Sequence, residues 1–451
     1  MKKLFEFTGT IMAIALVMVV IYHLVNTIPP AGTSKESQAT AIFEDASCMT
    51  CHGQNIQTPF YSDLPLIAPL LKNERKKGFQ RFNMEDAWSM IKDGEAINET
   101  DLAKIEMETV ILRTMPPKKH YLIHWGSSIT PAKQTILKNW FNYHREKFYP
   151  NELSAESFKH ESIRPIQNVL SVNKKKVALG KKLFHDIRLS SDNTLSCASC
   201  HNPKTGGANN RQFAESVNKH MGNINTPTVF NAYFNALQSW NGEAISMEKF
   251  IEQHITNPTI TGYSSITPII RKLEENNDIK NSFGKLYDNG ITKATIADAI
   301  TEFVKTLHTP NCSFDRYLKG DAYAINKKEI FGYELFKSHK CATCHTGINL
   351  GGLTRERMGV HKDYFKDRGW ELTEEDMGYF NHTADEYDRH RFKVSGLRNV
   401  AQTKPYFHDG SQQSLYDAVK IMGIYQAGRN INDEEIKAIV AFLETLTGEI
   451  E

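Results

Sequence analysis

Cys48-Met49-Thr50-Cys51-His52, Cys197-Ala198-Ser199-Cys200-His201 and Cys341-Ala342-Thr343-Cys344-His345 repeat one pentapeptide, Cys-x-x-Cys-His, within a chain of 451 residues. This pattern is the attachment signal for c-type haem. Two thiols one helical turn apart bond one porphyrin edge as thioethers, and the histidine that follows reaches the iron from the proximal face. Zinc or redox dithiol chemistry would also use such cysteine pairs, but gives no reason for a histidine directly after the second cysteine. Three covalently bound haem c groups are therefore expected. The seventh cysteine, Cys312, reads as a buried, inert thiol.

Charge separates few partners. Lys and Arg number 54 against 52 Asp and Glu, a formal net charge of +2, and no basic footprint for a nucleic acid is present. The length suffices for two or three domains with cores of their own. After Met1-Lys2-Lys3, residues 7–25 are almost wholly apolar. That run is longer than the usual signal-peptide core and lacks a small-x-small cleavage site directly after it. It predicts an uncleaved N-terminal membrane anchor over residues 1–28, placing the body on the periplasmic face of the bacterial inner membrane as a single-pass protein. Pro29-Pro30-Ala31-Gly32-Thr33-Ser34 opens a tether over residues 29–40.

The clear periodicities are helical. Thr292 precedes a stripe of Ile296, Ile300, Phe303, Val304 and Leu307; Asn432 and Glu435 form a capping-box start; Thr130-Pro131 is another start, leading to Ile136, Leu137 and Trp140. Convincing alternating strands are absent. An internal repeat runs through the second half: Gly180-Lys181-Lys182-Leu183-Phe184 precedes the second motif as Gly332-Tyr333-Glu334-Leu335-Phe336 precedes the third, and Asn231, Trp240 and Asn241-Gly242 pair with Asn399, His408 and Asp409-Gly410. The expected architecture is mainly α, with three c-type cytochrome-like haem domains after an N-terminal transmembrane helix. Its divisions are a cytochrome c domain at 41–150, a linker at 151–172, and haem domains at 173–325 and 326–451. Met115, in Thr114-Met115-Pro116-Pro117, is the candidate second axial ligand of the first haem, and Met422 that of the third. Thioether ligation raises a haem potential and suits electron transfer.

The run from Leu179-Gly180 through the second motif, with Asn225-Thr226-Pro227-Thr228, Trp240, Gly396-Leu397-Arg398-Asn399 and Pro405-Tyr406-Phe407-His408-Asp409-Gly410, resembles the bacterial di-haem cytochrome c peroxidases. With the extra N-terminal haem unit and the expected anchor, the chain is most similar to their trihaem, membrane-anchored quinol-peroxidase branch. The resemblance implies a peroxidatic His201 haem, an electron-transferring His345/Met422 haem, and Trp240 between them. It also implies Ca²⁺ held by Asn225 and the carbonyls of Thr403 and Pro405.

The family's distal glutamine, glutamate and capping histidine align without gaps with Phe250, Ile260 and Val217, all apolar. The repeat sets His254 opposite Met422, four residues after Phe250 and on one helical face with it. His254 is thus a candidate sixth ligand or proton shuttle, with His220 as its competitor and Gln253 and Glu248 as weaker choices. The expected function is reduction of hydrogen peroxide to water, with electrons from the quinol pool or a small cytochrome passing through the His52/Met115 and His345/Met422 haems to the His201 haem. A non-catalytic electron relay is the alternative, and an oxidase acting through Trp240 a third reading. Expected partners are peroxide, the donor and the membrane, with no nucleic acid; a homodimer is left open.

Overall fold

The computed structural model describes residues 2–54, 62, 64–65, 68–122 and 124–449, in two units, Met1–Pro150 and Asn151–Glu451. The chain is 54% helical.

In the first unit, α1 covers Lys2–Val25, α2 Lys35–Asp45 and α3 Pro131–Phe148. α2 starts inside the stretch read as a tether because the Ser34 side chain accepts from Ser37 N and caps it. α3 begins at Pro131 as expected, with the Thr130 hydroxyl taking the Lys133 N–H. Their apolar stripes meet: Ala39, Ile42 and Phe43 pack against Leu137, Trp140 and Phe141, with Phe43 edge-on to Trp140 at 5.8 Å.

The transmembrane anchor is corrected. Among the described residues no helix is long and apolar enough to cross a membrane. The apolar run of α1 carries Tyr22 and His23 near its C-terminal end. Met1 and the side chains of residues 2–9 lie outside the described residues. The C-terminal end of α1 is instead tied to protein: Asn26 Nδ2 donates to Trp125 O at 2.7 Å, and Asn26 Oδ1 accepts from Ser128 N at 3.1 Å. The single-pass placement on the inner membrane, and the membrane as partner, are withdrawn with the anchor.

In the second unit, α4 (Lys174–Phe184), α5 (Met247–Ile255) and α6 (Lys293–Lys305) belong to the half that carries the second motif. α7 (Lys327–Ser338), α8 (Leu415–Met422) and α9 (Asp433–Glu444) belong to the half that carries the third. The repeat seen in sequence is a repeat of helix crossings. A Cβ on Gly180 would lie 1.8 Å from Ala299 O of α6, and one on Gly332 2.0 Å from Ala438 O of α9, so both glycines exist to let two backbones touch. The stripe of α6 is buried as expected, with Ile296, Ile300, Phe303 and Val304 in one core. Residues 151–172 pack into this unit through Ile163 and Ile166, both fully buried.

One link between the halves is a shared hydroxyl. Asn231 and Asn399, equivalent in the repeat, both adopt φ of 59°, and both donate from Nδ2 to Thr309 Oγ1, at 2.8 and 2.9 Å. Thr309 is completely buried. Thr309→Val is therefore expected to strand two amide donors and to lower stability by on the order of 3 kcal/mol, at about 1–3 kcal/mol for each orphaned donor. Thr309→Ser should keep the wild-type denaturation midpoint, and equal midpoints for all three proteins would refute this account.

A two-stranded antiparallel ribbon, β1 (Arg355–Arg357) with β2 (Arg391–Lys393), was not anticipated. Its short charged strands carry no apolar alternation to read.

Candidate functional site

The three pentapeptides present their histidines alike. His52 Nδ1 lies 2.8 Å from Phe82 O, His201 Nδ1 3.1 Å from Pro227 O, and His345 Nδ1 3.0 Å from Leu350 O. A carbonyl only accepts, so each Nδ1 carries the proton and each Nε2 keeps its lone pair for a metal. The local fold enforces this. Cys48 precedes the short helix Met49–His52, Ser196 caps the turn Cys197–Cys200, and Cys341–Thr343 forms a 3₁₀ turn. A Cβ on Gly78 would lie 2.7 Å from Cys51 O, which explains the glycine where the neighbouring helix passes the first motif.

Cys48, Cys51, Cys197, Cys200, Cys341 and Cys344 are all free of disulfides. Burial pushes the Cys48, Cys197 and Cys341 thiols up to about 12. Such sulfurs are poor thiolate donors, unlike those of a zinc site, and among the described residues no group of three or more His, Cys, Asp or Glu side chains is placed to hold a metal ion. Paired neutral thiols beside a histidine with a free Nε2 fit haem c. Cys312 is buried, caps the helix Ser313–Leu318, and receives Arg398 Nη1 at 3.4 Å.

Met115 follows a π-turn, Met107–Ile111, and donates from its backbone N to Glu108 O at 3.1 Å; Met422 ends α8 and precedes a second π-turn, Gly423–Ala427. Both side chains are half-buried. Such turns recur where a helix must present one side chain.

Around the second motif, His254 sits in the last turn of α5, its ring 5.2 Å from that of Phe250. Burial, and to a lesser degree the His201 charge, lower its pKa to about 4, so His254 is neutral at physiological pH. His220 is exposed on its loop. Of the aligned apolar positions, Val217 is buried and Phe250 packs on the core.

Trp240 donates from Nε1 to Asn225 O at 2.7 Å and meets the His408 ring edge-on at 6.5 Å. Asn225 N in turn donates to His408 O at 2.7 Å, while its Nδ2 donates to Arg211 O and Gln212 O. The amide nitrogen is thereby occupied, leaving Oδ1 as a neutral oxygen of the kind a Ca²⁺ ligand set uses.

Sequence reasoning missed the support behind Trp240. His408 Nε2 lies 2.8 Å from Asp376 Oδ1, and Arg368 clamps the same carboxylate, Nη1 to Oδ1 at 2.7 Å and Nη2 to Oδ2 at 2.5 Å. Burial pushes the Asp376 carboxyl up, but its bonds from Arg368 and His408 prevail and hold it well below the usual carboxylate range. Asp376 and Arg368 lie in a stretch with no counterpart in the repeat, so no internal comparison could flag them.

Residues 174–323 match the family model described as di-haem cytochrome c peroxidase, and residues 16–143 match that of a haem-binding domain. The chain is 37% identical over 418 residues to the cytochrome c peroxidase Ccp of Escherichia coli strain K12, covering 93% of this chain and 89% of that protein. It is 39% identical over 293 residues to the cytochrome c551 peroxidase of Nitrosomonas europaea, covering 64% and 85%. Among solved structures, a MauG-like protein associated with microbial copper homeostasis shares the fold, with a TM-score of 0.56 at 23% identity over 63% of this chain and 93% of that one.

Proposed function

The chain belongs to the di-haem cytochrome c peroxidase family, and on that premise we propose that it carries three haem c groups and reduces hydrogen peroxide to water at the His201 haem. It is a haem peroxidase, an oxidoreductase. In the proposed path, a small cytochrome or quinol delivers electrons to the haem of His52 and Met115, and they pass through that of His345 and Met422 to the His201 haem. The observation that carries the count of three is the shared histidine geometry, each Nδ1 spent on a backbone carbonyl.

When bound, haem c supplies an iron that exchanges electrons with donor and substrate; the overall conversion takes up two electrons and two protons per peroxide and releases two waters. The chain must then handle protons, and the aligned distal positions Phe250, Ile260 and Val217 cannot. His254 is the residue we assign to that work. Its neutral ring accepts a proton from one peroxide oxygen and returns it to the other, or closes the iron position at rest. Trp240, fixed by Asn225 and backed by His408, lies on the electron path between the halves. Asn225 Oδ1 with the carbonyls of Thr403 and Pro405 holds the proposed Ca²⁺.

The apolar distal positions favour a second reading, a relay whose His201 haem stays six-coordinate. Spectroscopy of the reduced holoprotein separates them. The peroxidase reading expects carbon monoxide to bind one haem of the three, and peroxide to reoxidise the protein. Three haems that remain low spin in every reduction state, untouched by peroxide, would leave only the relay.

A further inference from the structure

The β1–β2 ribbon concentrates positive charge. Arg355 pairs with Lys393 and Arg357 with Arg391, and residues directly opposite in an antiparallel pair project from one face. Like charges so placed destabilise a ribbon unless each finds compensation. Three of the four do. Arg355 donates to Asn241 O and Gly242 O and lies 3.7 Å from the centre of the Tyr379 ring. Arg391 donates to Tyr387 O and lies 3.8 Å from that residue's ring centre. Arg357 has the Glu386 carboxylate within electrostatic reach.

Lys393 has no such relief. It is 7% exposed, and burial is the one influence acting on its ammonium, with no carboxylate or acceptor beside it among the described residues to offset that. Burial pulls its ammonium down to about 8, which leaves it mostly charged at neutral pH. A buried, unpaired cation is retained at a free-energy cost unless an anion is meant to meet it. Its location says which. Lys393 N donates to Trp240 O at 2.8 Å, and two residues on, the Ser395 backbone joins Leu350 in holding the His345 imidazole. The ribbon therefore leads directly to the backbone that holds the third motif's histidine, and haem c, attached there, would bring carboxylates of its own.

We propose that Lys393 is a haem-binding residue whose ammonium pairs with a propionate carboxylate of the haem attached at Cys341 and Cys344, and so raises that haem's reduction potential. This rests on the three-haem reading above. A nearby cation disfavours the ferric iron, which carries one more positive charge than the ferrous, so removing it lowers the potential.

The test is a redox titration of each haem in the intact holoprotein, compared with Lys393→Met and Lys393→Arg. In Lys393→Met the ferrous/ferric equilibrium of the His345 haem should fall about tenfold, or about 59 mV for one electron. The other two haems should stay in place, and Lys393→Arg should restore the wild-type value. An unshifted His345 haem, or an equal shift in all three, overturns the proposal. A wild-type potential that follows added phosphate, with no difference between variants in its absence, assigns Lys393 to a free anion and also overturns it. Should Lys393→Met fail to take up haem, redox-difference infrared spectra of wild type and Lys393→Arg with isotope-labelled propionates decide: a carboxylate band displaced by the exchange supports the pairing, and identical bands refute it. Haem content of the wild type is measured separately, and fewer than three haems would defeat the parent reading while leaving the Lys393 comparison interpretable at the Cys341 site.

Discussion

His254→Ala in the holoprotein is expected to change the spin state of one haem and to lower peroxide turnover by about 10²–10⁴-fold, the range supplied by a positioned acid–base group. The expectation follows from three facts that meet at one residue. The repeat sets His254 where Met422 stands in the other half. α5 presents it beside Phe250, and burial, with the His201 charge, keeps its imidazole uncharged. The family's usual distal positions are here occupied by side chains that carry no proton. A packing defect alone would loosen α5 but would not alter a single haem's electronic spectrum, so spin state and turnover are read together. Unchanged values for both would remove His254 from the mechanism and return attention to His220, exposed on its loop.

Arg398→Leu is expected to cost about 3–5 kcal/mol, the scale for breaking a buried ion pair from one side. Arg398 and Asp315 have completely buried side chains and meet twice, Nη2 to Oδ1 at 2.8 Å and Nη1 to Oδ2 at 3.1 Å. The same guanidinium donates to Arg164 O at 3.0 Å and to Ile348 O, three residues past His345. Its removal leaves a buried carboxylate without its counter-charge, though Ile166 N still donates to it, and takes a donor from each of two carbonyls. A denaturant titration measures the loss, and the double variant Arg398→Leu/Asp315→Leu should recover part of it. A single variant as stable as the wild type would show that the pair is dispensable.

The features legible in the sequence were those that depend on neighbours in the chain. Cys-x-x-Cys-His is local chemistry, the starts at Thr130, Thr292 and Asn432 are local hydrogen bonding, and the Gly180/Gly332 pair was visible because a backbone contact admits no other residue. What escaped depends on distant partners. Nothing local marks Lys393 or Arg355 until the ribbon pairs them, and Asp376 is one acid among many until Arg368 and His408 close on it. Composition also misled at the N-terminus, where apolarity was read as a membrane span although its described run ends in an asparagine hydrogen-bonded to Trp125 and Ser128.

The hydroxyl of Thr309 makes the dependence between the two halves one-sided. An oxygen has two lone pairs, and each copy of the repeat takes one. Thr309 and Asn231 belong to the same half, so it is the other half that depends on the bond: alone, it would leave Asn399 without this acceptor.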